Sequence, residues 1–346
     1  MKKIISNLIL FVFLILILLT VILSTIGIET NRFNYLISKK INQTNKNINL
    51  ELFTIKFKLD IKEMSLFLET IDPRIVYRNI VIPTKNIKVY IDFVSLIKSD
   101  PKIKKINLIL NQIEIEQLKK ISTTLKPSNF TSFIRNNMIQ GKINTELEVY
   151  LDNNNLFKNF IARGLVSNLK TEIINNLNLS KTNFTFFADK TDILIKNLSG
   201  EMGPIEIKEG DIKLKLSSDI TLESSFKSNI KYNNKMTMHN DLIKNIKYGK
   251  NILSLEADLD NRFSINFDKT YKLKKYDYKS TGKIIKTNLD FEKSLENNFL
   301  QSKIKQLTLK NTKIKKNLNS KNNNIVISGK YSPLISFKSS EYDSLH

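Results

Sequence analysis

Hydrophobic and polar positions follow three successive regimes along the chain. From Ile4 to Ile28 no charged residue occurs and most positions are apolar, with LILFVFLILILLTVILSTIGI as the core of the run. At 1.5 Å per residue, a helix over these roughly 25 positions exceeds the ~30 Å hydrocarbon layer of a bilayer. Phe33, Leu36, Ile37 and Ile41 then recur at helical spacing and predict a short amphipathic helix over 34–41. Beyond it the period falls to two. Ile55, Phe57, Leu59 and Ile61 alternate with Lys56, Lys58, Asp60 and Lys62, the pattern of a strand with one wet face.

The period-two pattern carries on through Ile80–Ile82, Ile87–Phe93 and Ile106–Leu110, with Ile113 and Ile115 continuing the last strand after a turn. A helical interlude over Asn129–Met138 carries Phe130, Phe133, Ile134 and Met138. From Gly141 onward short strands follow one another, among them Ile143–Leu151, Phe160–Val166, Ile193–Leu198, Ile212–Leu216, Leu253–Leu259, Phe263–Phe267 and Ile284–Leu289. Asparagine clusters such as Asp152–Asn155 and Asn233–Asn234 supply the turns. Strands at about 8–12-residue spacing without intervening long helices exclude a parallel α/β sheet and predict an all-β meander. The fold class is therefore all-β with minor helices: a transmembrane helix followed by an elongated antiparallel sheet. Residues 1–28 form the anchor, 29–136 a mixed α/β start and 137–346 a β-rich region. Lysines and asparagines dominate 310–324, which is expected to be a loop.

The apolar run is longer than the 7–15 residues usual in a signal peptide, and its exit, Ser24-Thr-Ile-Gly-Ile-Glu29, has no alanine-type cleavage site. An uncleaved anchor is expected. Lys2 and Lys3 precede it while Arg32, Lys39, Lys40 and Lys46 follow it, so basic residues alone do not orient it. Large downstream domains translocate largely regardless of charge, which favours a domain outside the cytoplasm. With no cysteine in the chain, disulfides, thiolate metal sites and thiol nucleophiles are all excluded.

The formal charge of +22 invites a nucleic-acid reading. The lysines, however, are spread along the strands, and the arginines (32, 74, 78, 135, 163 and 262) are few and scattered. Abundant Lys, Asn and Ile reflect compositional bias, and no nucleic-acid partner is expected. Catalytic signatures are missing too. The histidines are His239 and His346, Gly200-Glu-Met-Gly203 is too short for a dinucleotide fingerprint, and Glu114/Glu116 and Asp258/Asp260 each lie on the polar face of one strand. No enzyme, metal site or cofactor is expected. What remains is the apolar face itself, which must be buried against an opposing sheet or against something else.

The order of segments past the span carries a resemblance. The strand 53–61 is followed by Pro73-Arg-Ile75, Ile82-Pro83, Asn86-Ile-Lys-Val-Tyr-Ile-Asp-Phe-Val-Ser-Leu-Ile97, Ile103-Lys-Lys-Ile-Asn-Leu108 and Ile113-Glu-Ile-Glu-Gln-Leu-Lys-Lys-Ile121. This resembles the chorein-like amino-terminal region of the AsmA-like and TamB-like envelope proteins. Ile193 to Ile212 is similar to their strand-turn-strand phrase, and the likeness covers residues 1–125 well and 140–260 loosely. The resemblance implies a single-pass protein of a bacterial inner membrane, with its C-terminal domain in the periplasm. It also implies a curved β-groove that holds phospholipid acyl chains and supports phospholipid transport or outer-membrane assembly and maintenance, alongside envelope protein partners. The residues expected to line the groove are Ile87, Val89, Ile91, Phe93, Ile106, Leu108, Leu110, Leu147, Val149, Leu151, Ile212, Leu214 and Leu216. In a closed sandwich the same side chains would be core, and the chain a tethered scaffold domain binding protein partners through its sheet edges. About 14 strands at ~4.8 Å would extend only about 65 Å, short for bridging two membranes unaided.

Overall fold

The computed structural model describes residues 2–31, 34–35, 38–39, 46–63, 65–92, 95, 102–152, 156–174, 177–216, 219–235, 252–268, 272–297, 302–320 and 323–328. Helix α1 (Lys2–Thr25) is long and apolar enough to cross a membrane, and its side chains are exposed along nearly its whole length. It ends on a glycine cap: the Gly27 N–H donates to the Ile22 carbonyl at 2.9 Å, and Gly27 takes φ +77°. A Cβ at Gly27 would lie 2.7 Å from Lys58 Cγ and 2.8 Å from the Phe57 carbonyl oxygen, so only glycine lets the helix end sit against the neighbouring strand. Asn34, Tyr35, Ser38 and Lys39 are helical, while Phe33, Leu36, Ile37 and Ile41 of the expected amphipathic helix lie outside the described residues.

The chain divides into two compact units, Met1–Leu165 with Phe187–Lys190, and Val166–Phe186 with Thr191–His346. The boundary expected near residue 137 falls inside the first unit. Strands of both belong to one open-ended antiparallel path, not a closed barrel. In the first unit the order is β1 (Ile28–Thr30), β3 (Thr54–Asp60), β4 (Ser65–Ile71), β7 (Thr84–Ile91), β8 (Ile103–Leu110) and β10 (Met138–Leu151), with β9 (Ile113–Glu114) on the flank of β10. A separate three-stranded sheet of β2 (Ile48–Glu51), β5 (Arg74–Tyr77) and β6 (Ile80–Ile82) accompanies it.

Ile113 and Ile115 were expected to continue a strand, but only 113–114 do so; Ile115 opens helix α2 (Ile115–Thr124). Ile115, Leu118 and Ile121 repeat at helical spacing, and that periodicity overrides the short alternating start. Helix α3 (Asn129–Asn136) matches the expected interlude. Its N-terminus is a capping box in which the Ser128 hydroxyl accepts from the Thr131 N–H at 3.2 Å and Thr131 Oγ1 from the Ser128 N–H at 2.9 Å. Ile113, Ile115 and Ile134 are buried where the two helices pack near the start of β10.

The second unit is sheet alone among the described residues. It takes in the later part of β11 (Phe157–Ile174) and most of β12 (Leu177–Asp189). These lead to β13 (Asp192–Met202), β14 (Ile205–Leu216), β15 (Ile220–Asn233), β16 (Ile252–Phe267), β17 (Leu273–Asn297), β18 (Ser302–Asn319) and β19 (Asn323–Ser328). The stretch 310–324 expected as a loop holds instead the end of β18, to Asn319, and the start of β19, from Asn323. Lys313, Lys315 and Asn317 alternate with Ile314, Lys316 and Leu318, and all of them are in ladder register with β17. Ladder bonds need no side chain, and lysine stems tolerate an exposed strand face.

Asparagine also plays a second part here. Asn168, Lys181, Asn197, Glu209 and Asn311 all adopt φ between 50° and 55°, inside strands rather than between them. Register shifts mark bulges beside Asn197 and Glu209. In each case the next residue (Leu169, Thr182, Leu198, Gly210 and Thr312) is buried.

Candidate functional site

Antiparallel partners share a face, so the registers sort the side chains of the paired strands. In the first unit, one row runs Phe57, Leu68, Val89, Ile106, Val149 and another Ile55, Thr70, Ile87, Leu108, Leu147. A third joins Leu59, Leu66, Ile91 and Ile103. No charged residue stands in these rows. Ile55, Thr70 and Ile87 are buried, whereas Phe57, Leu59, Leu66, Leu68, Val89, Ile91, Ile106, Leu108, Leu147 and Val149 are only half-buried.

The opposite face is the better packed one. Glu69, only 7 % exposed, accepts from Lys58 Nζ at 2.7 Å and Asn86 Nδ2 at 2.7 Å, with Lys88 Nζ at 3.6 Å. Burial raises its pKa, but those hydrogen bonds and the two lysine charges more than offset it and leave the carboxyl below its ordinary value. Arg163 on β11 bridges Glu146 at 2.9 Å and Glu148 at 3.1 Å, and Glu146 also accepts from Asn107 Nδ2 at 2.6 Å. The Arg163 contact holds the Glu146 carboxyl low. Phe67 and Tyr90 stack at 5.1 Å, and Lys105 Nζ, paired with Glu63 at 2.5 Å, sits 4.3 Å from the Tyr90 ring centre. The charged groups of this face pair with one another, while Ser65 Oγ and the Oδ1 atoms of Asn86 and Asn107 are left without a hydrogen-bond partner.

The second unit also sorts apolar from charged side chains, but there the apolar side is the better buried one, with Ile220, Tyr232, Ala257, Asn261, Ser280 and Ile284 all buried on it. Ile193, Ile195, Ile212, Leu214 and Leu216 line up with Ile220, Leu222, Phe263, Ile265 and Tyr276. The other face of the same strands carries Lys213, Lys215, Glu223, Lys227, Asp258, Asp260, Arg262 and Lys279, with Lys283 directly opposite Lys313 and Lys286 opposite Lys310. Like charges in register cost stability and mark a solvated face.

The expected lining residues thus fall in two groups. Ile87, Val89, Ile91, Ile106, Leu108, Leu110, Leu147, Val149 and Leu151 occupy β7, β8 and β10 of the first unit, and Ile212, Leu214 and Leu216 occupy β14 of the second. Phe93 lies outside the described residues. Sequence reasoning missed Leu66 and Leu68, because Phe67 between them on the other face turns an alternating strand into a continuous apolar run. It also missed Asn261, Ser280 and Lys316, which share the apolar side of the second unit and whose polarity hid them.

Two local concavities lie off these faces. One of about 670 Å³ is lined by residues including Asn34, Tyr35, Lys39, Lys46 and Glu51, and another of about 550 Å³ mostly by the charged face around Lys227, Asp260 and Arg262. Among the described residues no group of three or more His, Cys, Asp or Glu side chains is placed to hold a metal ion. The chemistry available to the two apolar faces is apolar contact. No family model, curated protein or solved structure matches the chain.

Proposed function

We propose that the protein is a membrane-anchored lipid-binding sheet whose apolar face holds phospholipid acyl chains, in support of phospholipid transport or maintenance of an outer membrane. The observation that carries this is the half-buried, charge-free face of the first unit, which starts at the membrane exit. Ile28, three residues past the last residue of α1, pairs with Phe57 and so opens the row that continues through Leu68, Val89, Ile106 and Val149. Leaving such rows in water forgoes about 25 cal/mol per Å² of apolar surface, and acyl chains arriving along α1 recover it without head-group recognition. The resemblance to AsmA-like and TamB-like proteins supports the same reading, with the domain in a periplasm and the anchor in the inner membrane.

The test is site-specific photocrosslinking in a double-membraned bacterial host, with benzoylphenylalanine at Val89, Leu108 or Leu147 on one face and at Lys88 or Asn107 on the other. Phospholipid adducts at the first three positions and not at the last two are expected. Protein adducts at the apolar positions would instead favour a tethered scaffold that docks a partner on this face.

A further inference from the structure

Among the described side chains in register across β13 to β18, the apolar face of the second unit bears no carboxylate and one charged side chain. In the row Phe226, Asn261, Ser280, Lys316, one residue from each of β15 to β18, the last is a lysine. Its neighbours along β18 on that face are Ile314 and Leu318, its Nζ is 5.8 Å from the centre of the Tyr278 ring, and it makes no ion pair among the described residues. A second observation lies beside it. Ser280 is 4 % exposed and its Oγ has no hydrogen-bond partner. Neighbouring Asn261, 3 % exposed, is by contrast satisfied: its Nδ2 donates to Ser228 Oγ at 2.9 Å and its Oδ1 accepts from the Tyr278 hydroxyl at 2.8 Å. That pair of bonds fixes the Tyr278 ring under the lysine.

We infer that Lys316, with the Ser280 hydroxyl, forms a phosphate subsite in this apolar face, where the phosphate of a glycerophospholipid is held while its chains lie on the flanking isoleucines and leucines. A cation set on an apolar face with no acid on that face is complementary to one anion whose remainder is hydrophobic. The unused hydroxyl supplies the donor that an oxyanion accepts and that a hydrocarbon leaves unsatisfied. This rests on the lipid-binding reading and adds to it a preference for phosphate-bearing lipid.

The experiment uses the full chain purified in a non-ionic detergent and two fluorescent lipids with identical chains, phosphatidic acid and diacylglycerol. Phosphatidic acid is expected to bind about tenfold more tightly, the scale of one charge-assisted hydrogen bond. Lys316→Met, which keeps the stem, should bring phosphatidic acid down to the diacylglycerol level and leave diacylglycerol unchanged; Lys316→Arg should restore the preference. Equal binding of the two lipids by the native chain, or a preference indifferent to Lys316→Met, overturns the subsite while leaving acyl-chain binding intact. Binding of neither lipid overturns the lipid reading itself, and the subsite with it. Lys316-dependent binding of inorganic phosphate that excludes phosphatidic acid would assign the site to a free anion and overturn the lipid source.

Discussion

Five residues of the second unit sit at positive φ inside strands, and none of them is glycine: Asn168, Lys181, Asn197, Glu209 and Asn311. Asparagine enters the left-handed region more readily than most L residues, whereas lysine and glutamate have no such excuse. Lys181 is the most informative. Its side chain is exposed, with an ion pair to Glu201 at 3.0 Å that contributes little, so substitutions there act on the backbone. Lys181→Gly should raise stability by about 1 kcal/mol, and Lys181→Val should lower it by about 1–3 kcal/mol, because a β-branched side chain is an outlier at this φ. Urea midpoints of the two variants against the native chain measure both, and equal shifts of the same sign would remove the backbone explanation. The buried residue after each of these positions is the reason the strain is tolerated: the local turn of the chain carries Leu169, Thr182, Leu198, Gly210 and Thr312 inward.

For the elements, the ladder on the charged face of the first unit makes a prediction about pH. Burial pushes Tyr90 up to about 12, and the hydrogen bond donated to Glu148 does the same for Tyr150. A folded-state pKa above the unfolded value near 10 gives stabilisation that is complete below pH 10 and lost as pH rises toward 12. Glu69 and Glu146 are displaced the other way, so their contribution is present above the unfolded carboxylate pKa and lost as pH falls through the folded one. Urea midpoints should therefore fall at both ends, and Tyr90→Phe with Tyr150→Phe should flatten the alkaline limb alone. An alkaline limb unchanged in the double variant would mean that other groups govern it. These elements also show which parts of the fold were legible. The strands around Ile87–Ile91, Ile106–Leu110 and Ile212–Leu216 could be read because one side chain in two is apolar. β18 could not, since its register comes from backbone bonds to β17 and its lysines tell only of solvent. Ser280 and Lys316 were illegible for a related reason: alternation ranks hydrophobicity, and a polar residue in an apolar row looks like an error in the pattern.

At the scale of the molecule, the decisive question is whether the two apolar faces are open or serve as ordinary core. Leu108→Asp and Leu214→Asp ask it directly. Both side chains are half-buried, so each change should cost about 1 kcal/mol and leave a cooperative unfolding transition, whereas an unpaired charge in a closed core costs upward of about 4 kcal/mol. Loss of lipid adducts from a folded Leu108→Asp chain would complete the case; an unfolded chain would return these residues to a sandwich core. The strand order has a consequence of its own. From β10 to β19 every strand pairs with the one made just before it. Contacts in this region are therefore short in sequence, which favours rapid folding for a chain so rich in strand. A polypeptide emerging amino-terminus first meets each of these strands with its template already waiting. It never has to hold an apolar segment in abeyance for a partner not yet synthesised.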